Sequence, residues 1–114
     1  MAYEADYPLR EPTREDVDRM PGRVLLEFGA PGCPHCSAAQ PGLRSLLAEH
    51  DEVAHIKVED GRGRPLGRSF GVKLWPTLVL LESGEERARV VRPRGKGELA
   101  PLGHALKARL KRGR

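Results

Sequence analysis

The sequence predicts a small α/β domain in which helices flank a mixed β-sheet. Helical and strand patterns alternate along the chain in the order helix, strand, helix, strand, helix, hairpin, helix. A helix between two strands favours parallel pairing, whereas a short turn favours antiparallel pairing. Because the chain has 114 residues and no internal repeat or low-complexity linker, residues 1–114 are expected to form one domain.

The N-terminal half is predicted to supply two helices and two strands. Residues 1–22 form a polar segment with a short helix that Thr13 can cap. The apolar run of residues 23–28 is typical of a strand covered on both faces, as in parallel sheets. Leucines at helical spacing continue a helix through residues 37–50, and residues 53–58 alternate as the second strand.

The C-terminal half is predicted to add a short helix, a hairpin and a closing helix. Pro65 suits a first helical position, and Gly71 suits a C-terminal cap. Residues 77–81 and 88–90 are strands joined by a short turn. A basic tail is expected at residues 110–114. The closing helix is indicated by leucines at helical intervals, namely Leu99, Leu102, Leu106 and Leu110.

The composition favours a soluble protein over a membrane or nucleic-acid-binding protein. Charged residues make up 32% of the chain, and no apolar run approaches the roughly 20 residues of a membrane span. The net charge of +4 gathers near the C-terminus, but no aromatic stacking motif accompanies it, so a solvated helix end is favoured over a nucleic-acid surface. Residues 1–19 contain no apolar signal core, which predicts a cytoplasmic location.

Cys33 and Cys36 are the only cysteines, and their spacing permits a disulfide. If Cys33 opens the helix, the two Cα atoms lie roughly 5 to 6 Å apart, a separation that a disulfide tolerates. Backbone N–H groups and the helix dipole at this strand-to-helix turn favour a thiolate. An inert staple over so few residues would constrain little of the unfolded chain, so redox chemistry is the favoured interpretation. No metal is predicted, because zinc-ligand spacing is absent among His35, His50, His55 and His104.

Glu27 interrupts the apolar run of the first strand. A buried carboxylate is costly unless it is paired or protonated. Glu27 is therefore either an edge residue that points into solvent or an acid that serves the reaction.

Residues 23–110 resemble the thioredoxin family. Residues 28–36 resemble its strand, short turn and Cys-x-x-Cys pair, and Glu27 falls where the family keeps a buried acid. Pro41 falls at the family's helix kink, and residues 70–77 resemble the segment that leads into a cis-proline. The resemblance implies a thioredoxin-like three-layer sandwich with a central mixed β-sheet.

The resemblance also implies a thiol–disulfide oxidoreductase that exchanges a Cys33–Cys36 dithiol with protein disulfides. Cys33 would be the nucleophile, Cys36 would resolve the mixed disulfide, and Glu27 would accept the Cys36 proton. No separate cofactor is implied, because the Cys33–Cys36 disulfide is the redox group. A thioredoxin reductase or another dithiol donor would supply the electrons. The protein would act as a monomer, and its cellular role would be electron transport and cell redox homeostasis.

The implied cis bond lies between Trp75 and Pro76, packed against the two cysteines. The N–H and C=O of Trp75 would then be free to pair with an extended substrate strand, beside Gly32 and Thr77. A core-filling role for Trp75, the only tryptophan, is the alternative.

Several residues depart from the family pattern. Gly32 stands where a tryptophan is usual, Trp75 replaces an aliphatic residue, and Arg92 replaces a glycine of the docking surface. Pro34 and His35, which are expected to modulate the pair, resemble the dipeptide of the periplasmic oxidant DsbA. Two alternatives therefore stay open: a redox-inert binding module, and a disulfide oxidant or isomerase rather than a reductase.

We predict that the reduction potential of the cysteine pair lies between those of thioredoxin and DsbA, at roughly −270 and −120 mV. The reason is that the helix N-terminus and the Pro34-His35 dipeptide stabilise the Cys33 thiolate, and with it the reduced form. Equilibration with glutathione buffers measures the potential. A value at or below that of thioredoxin would contradict the role given to the dipeptide.

Overall fold

The computed structural model describes residues 3–108, apart from the side chain of Lys96. The predicted order of elements is confirmed; Leu110 and the basic tail lie outside the described residues. The elements are α1 (Arg14–Asp18), β1 (Arg23–Gly29), α2 (Pro34–Leu47), β2 (Ala54–Glu59), α3 (Pro65–Ser69), β3 (Thr77–Glu82), β4 (Glu85–Val91), a 3₁₀ turn (Lys96–Leu99) and α4 (Ala100–Lys107).

The four strands form one mixed sheet in the order β2-β1-β3-β4. β1 pairs with β2 in parallel and with β3 in antiparallel orientation, and β3 and β4 form the predicted antiparallel hairpin. β4 is longer than the predicted strand, and the register of the hairpin shifts between Leu80 and Leu81. β1 is therefore an inner strand, and all seven of its residues are buried.

Helices cover both faces of this sheet. Successive strand residues point to opposite faces, so Val24 and Leu25 belong to different layers. Leu25 packs in a cluster with the leucines of α2 and α4, whereas Val24 packs in a cluster with Val17 of α1 and Leu66 of α3. The predicted three-layer sandwich is confirmed. By the same alternation, Glu27 lies on the α2 face, beneath the helix that carries Cys36.

Local signals explain where the short helices begin and end. The Thr13 side chain accepts a hydrogen bond from the Asp16 N–H at 3.0 Å, and the Asp16 carboxylate accepts one from the Thr13 N–H at 3.2 Å. This reciprocal capping box fixes the start of α1. After α3, Gly71 adopts a left-handed conformation with φ of +70°, which suits a C-terminal cap. No helix among residues 3–108 is long and apolar enough to cross a membrane.

Candidate active site

The two cysteines sit at the start of α2, as predicted. Cys33 is the N-cap, and its sulfur accepts a hydrogen bond from the Cys36 N–H at 3.1 Å. Both thiols are free; Cys33 is half-buried, whereas Cys36 is only 4% exposed. The Cys33 sulfur is the more accessible of the two, and it accepts a hydrogen bond from a backbone N–H at the start of the helix. The geometry therefore favours Cys33 as the attacking thiolate.

Cys36 is held as a thiol by its surroundings. Burial is the main cause that raises the pKa of Cys36 to about 12, and a hydrogen bond to Cys33 and the negative charges of Cys33 and Glu27 raise it further. A hydrogen bond with the Ala30 backbone acts in the opposite direction and lowers this pKa. The pair is therefore asymmetric: one sulfur meets solvent, and the other keeps its proton until a base removes it.

Glu27 is completely buried, with 0% of its surface exposed. The interpretation of Glu27 as a solvated edge acid is wrong, because β1 lies between β2 and β3. Its carboxylate accepts a hydrogen bond from Gln40 Nε2 at 2.8 Å and contacts His55 Nε2 at 2.8 Å, and Lys57 Nζ lies 4.0 Å away. The cost of burying the acid is thus offset by three polar partners.

The protonation of the His55 ring follows from its two hydrogen-bond partners. The backbone N–H of Glu4 donates to Nδ1 of His55 at 2.8 Å, so Nδ1 carries a lone pair. The ring hydrogen then resides on Nε2 and is donated to Glu27. His55 is consequently neutral in this arrangement, and Lys57 supplies positive charge near the carboxylate.

The polar residues around Glu27 were not predicted from the sequence. The signal lay in the strand register: Glu27 is paired with Lys57, and Leu25 with His55, on the α2 face. Gln40 joins the acid to the cysteine helix, since its side-chain Nε2 donates to both Glu27 and the backbone carbonyl of Cys36 at 2.8 Å. No sequence signal marked Tyr7, whose hydroxyl lies close to the same helix.

The peptide bond between Trp75 and Pro76 is cis, as predicted. The Trp75 side chain is half-buried, and its indole Nε1 donates to Asp60 Oδ2 at 2.9 Å. The core-filling interpretation is therefore wrong: Trp75 borders the surface, with one edge fixed by a carboxylate.

The prediction that the Trp75 carbonyl is free is wrong, because Arg92 Nε donates to it at 2.8 Å. The Arg92 N–H also donates to the Pro76 carbonyl at 2.8 Å, and Arg92 has a φ of +50°, a left-handed value that favours glycine. The backbone of Arg92 thus has a conformation that glycine usually adopts, and its side chain covers the Trp75 carbonyl.

The other predicted site residues divide between surface and interior. Pro34 and His35 are exposed in the first turn of α2, and Gly32 is exposed in the preceding turn with a φ of +82°. The prediction that Thr77 contacts the substrate is wrong, because Thr77 is only 1% exposed. Its hydroxyl donates a hydrogen bond to the Leu74 carbonyl at 2.6 Å. The Thr77 side chain therefore holds the loop before Pro76.

Among residues 3–108, no group of three or more His, Cys, Asp or Glu side chains is arranged to hold a metal ion. The chemistry available from the described residues is that of the two thiols and the acid–amide–histidine network beneath them.

Comparisons with known proteins agree with this geometry. The sequence profile of the Thioredoxin family matches residues 11–103. A thioredoxin of Chlamydia muridarum is 38% identical over 82 residues, which cover 71% of this chain and 79% of that protein. A protein disulfide-isomerase of Gallus gallus is 35% identical over 69 residues, covering 57% of this chain but 13% of that protein.

A solved structure extends the similarity to the whole fold. The reduced form of thioredoxin 2 from Pseudomonas aeruginosa superposes with a TM-score of 0.78 at 48% identity, covering 93% of this chain and 95% of that one. With a free Cys-x-x-Cys pair at the start of a helix and a cis-proline in the chain, this chain belongs to the thioredoxin family and is a thiol–disulfide oxidoreductase.

Proposed function

We propose that this oxidoreductase reduces protein disulfides, with Cys33 as the attacking nucleophile and Cys36 as the resolving thiol. The observation that carries the assignment is the asymmetry of the pair. Cys33 is the accessible N-cap sulfur, whereas Cys36 is buried with its pKa raised to about 12, chiefly by that burial.

The reaction proceeds in two displacements. The Cys33 thiolate attacks one sulfur of the target disulfide, a Cys33–target disulfide forms, and the other target sulfur leaves and takes a proton. Cys36 then loses its proton and attacks Cys33, so that the Cys33–Cys36 bond forms and the second target thiolate leaves. Two electrons pass from the dithiol to the target, and no other oxidant or reductant takes part.

Glu27 serves as the acceptor of the Cys36 proton. Its carboxylate is fully buried on the α2 face, and Gln40 connects it to the Cys36 backbone. Lys57, 4.0 Å from the carboxylate, stabilises the negative charge before the proton arrives. This arrangement supports the predicted role of the acid.

The target peptide docks along a rim formed by Gly32, Trp75 and Arg92. Gly32 leaves the approach to Cys33 open, and the indole of Trp75 offers an apolar surface. Backbone pairing at Trp75 requires the Arg92 guanidinium to leave the Trp75 carbonyl, because it occupies that acceptor. The docking step therefore includes a movement of one exposed side chain.

The proposed cellular setting follows from this chemistry. A dithiol reductant needs a compartment that keeps thiols reduced, which favours the cytoplasm. A thioredoxin reductase or another dithiol donor would restore the pair, as part of electron transport and redox homeostasis. We propose that the protein works as a monomer with protein disulfides as its substrates.

Disulfide isomerisation or oxidation is the second candidate function. It is favoured by the similarity to the Gallus gallus protein disulfide-isomerase and by the Pro34-His35 dipeptide. The reduction potential separates the candidates, since an oxidant requires a less negative value than a reductant.

Insulin reduction by dithiothreitol tests the roles of the two thiols. We expect catalytic amounts of the protein to accelerate the reaction and Cys33→Ser to abolish the acceleration, because the attacking thiolate is gone. Cys36→Ser should trap a mixed disulfide on Cys33 that mass spectrometry detects. Activity retained by Cys33→Ser would refute the assignment.

Glu27→Gln is expected to slow resolution near neutral pH by roughly a hundredfold, the lower end of what a general base contributes. The amide cannot take the Cys36 proton. Thermal melting should accompany the kinetics, since the substitution also disturbs the contacts with Gln40 and His55. Glu59→Gln, which changes a half-buried acid at the end of the neighbouring strand β2, is the matched control; equal rates in the two variants would remove Glu27 from the mechanism.

Arg92→Gly is expected to raise kcat/KM on uncharged peptide disulfides several-fold, because it exposes the Trp75 carbonyl and suits the left-handed backbone. The matched control is Arg94→Gly, which removes an exposed arginine that contacts Glu98 at 3.8 Å rather than the loop. A fall in kcat/KM for Arg92→Gly would show that the guanidinium assists docking instead of competing with it.

A further inference from the structure

Gly29 has no Cβ atom, and this leaves a small space beside the buried Cys36. Gly29 is the last residue of β1, and a Cβ atom there would lie 2.6 Å from Cys36 Sγ and 3.0 Å from the Tyr7 hydroxyl oxygen. Both distances are shorter than an ordinary contact, so any side chain would displace one of the two groups. The sulfur and the hydroxyl thus both border the space that a Cβ atom of Gly29 would fill.

Tyr7 is held in this position by buried polar residues of β2. It belongs to an N-terminal strap, residues 3–8, that has no helix or strand. Lys57 Nζ donates to the Ala5 carbonyl at 3.2 Å and lies 4.6 Å from the centre of the Tyr7 ring. Further up the strap, the Glu4 N–H donates to His55. The strap is therefore anchored to His55 and Lys57, two of the three side chains that contact Glu27.

The Tyr7 hydroxyl keeps its proton and is a hydrogen-bond donor. Burial raises the pKa of Tyr7 above its ordinary value, as do the charges of Cys36, Glu27 and Cys33 and a hydrogen bond to Cys36. A neutral phenol beside a sulfur stabilises the thiolate more than the thiol, because a hydrogen bond to a charged acceptor is the stronger one.

We propose that Tyr7 is a catalytic residue of the resolving step, in which its hydroxyl donates a hydrogen bond to the Cys36 sulfur as that sulfur becomes a thiolate. The proposal rests on the resolving role proposed for Cys36. Tyr7 retains its own proton throughout, and the Cys36 proton passes to Glu27. The Cys36–Cys33 bond forms while the bond from Cys33 to the target breaks, and the target sulfur leaves with the electron pair.

The alternative is that Tyr7 only anchors the strap by packing its ring under Lys57. Tyr7→Phe separates the two roles, since phenylalanine keeps the ring and its contact with Lys57 but loses the hydroxyl. Tyr3→Phe is the matched control, because it removes a hydroxyl of the same strap that contacts Gln40 Oε1, at 2.6 Å, rather than a sulfur.

The hydrogen bond is tested without turnover by alkylation of Cys36 with iodoacetamide in a Cys33→Ser background. Without Cys33, the influences on the Cys36 thiol are its burial, the Ala30 backbone and Glu27. The Tyr7 hydroxyl lies beside the sulfur, and Lys57 lies against the Tyr7 ring. Tyr7→Phe should lower the alkylation rate about tenfold at a given pH and move the rate profile to higher pH, on the scale of one hydrogen bond to a charged group. Tyr3→Phe should stay within about twofold of its parent.

The catalytic consequence is tested in the full chain with both cysteines, by stopped-flow reaction with dithionitrobenzoate. The first release of thionitrobenzoate reports Cys33, and the second reports attack by Cys36. Tyr7→Phe should leave the first phase unchanged and slow the second about tenfold. An unchanged second phase, or equal slowing of both phases, would overturn the proposal. A wild-type protein without a second phase would refute the resolving role itself, while alkylation would still report the hydrogen bond.

Discussion

The burial of one carboxylate, that of Glu27, constrains the structure around the active site. A carboxylate removed from water costs on the order of several kcal/mol unless nearby groups compensate. Here Gln40 approaches from the cysteine helix, and His55 and Lys57 approach from the neighbouring strand. Each partner is itself buried or half-buried and needs further hydrogen bonds, which it finds in the N-terminal strap. The acid thereby ties three separate parts of the chain to the reacting sulfurs.

The strap consequently reaches the reactive centre through the Glu4 backbone and the Tyr7 hydroxyl. It determines which nitrogen of His55 carries hydrogen, and it brings a phenol to the space left by Gly29. The hydrophobic layers on the two faces of the sheet hold β1 and α2 in place, but they do not decide the state of any proton. Protonation in this site is set by backbone and side-chain groups that lie more than twenty residues apart in sequence.

Periodicity and local motifs were sufficient to predict the elements, the parallel β1–β2 pair, the β3–β4 hairpin and the cysteine pair at the start of α2. They did not predict that β1 pairs with β3. They left the environment of Glu27 open, because an acid within an apolar strand has the same pattern in an inner strand and at an edge. The buried contacts of His55 depend on parallel register, which no local signal specifies. Tyr7 lies in a segment without periodicity. The contact between Arg92 and Trp75 depends on a side-chain orientation that its residue type alone does not determine.

The position of Trp75 also gives the protein an intrinsic fluorescence probe. The chain has a single tryptophan, and its half-buried indole is fixed by Asp60 in the residue before the cis-proline. Emission from this one fluorophore therefore originates at the proposed docking rim, where a bound partner would replace water around the ring. Equilibrium titrations and rapid-mixing records of complex formation then require no attached dye, and each signal can be attributed to one place on the molecule.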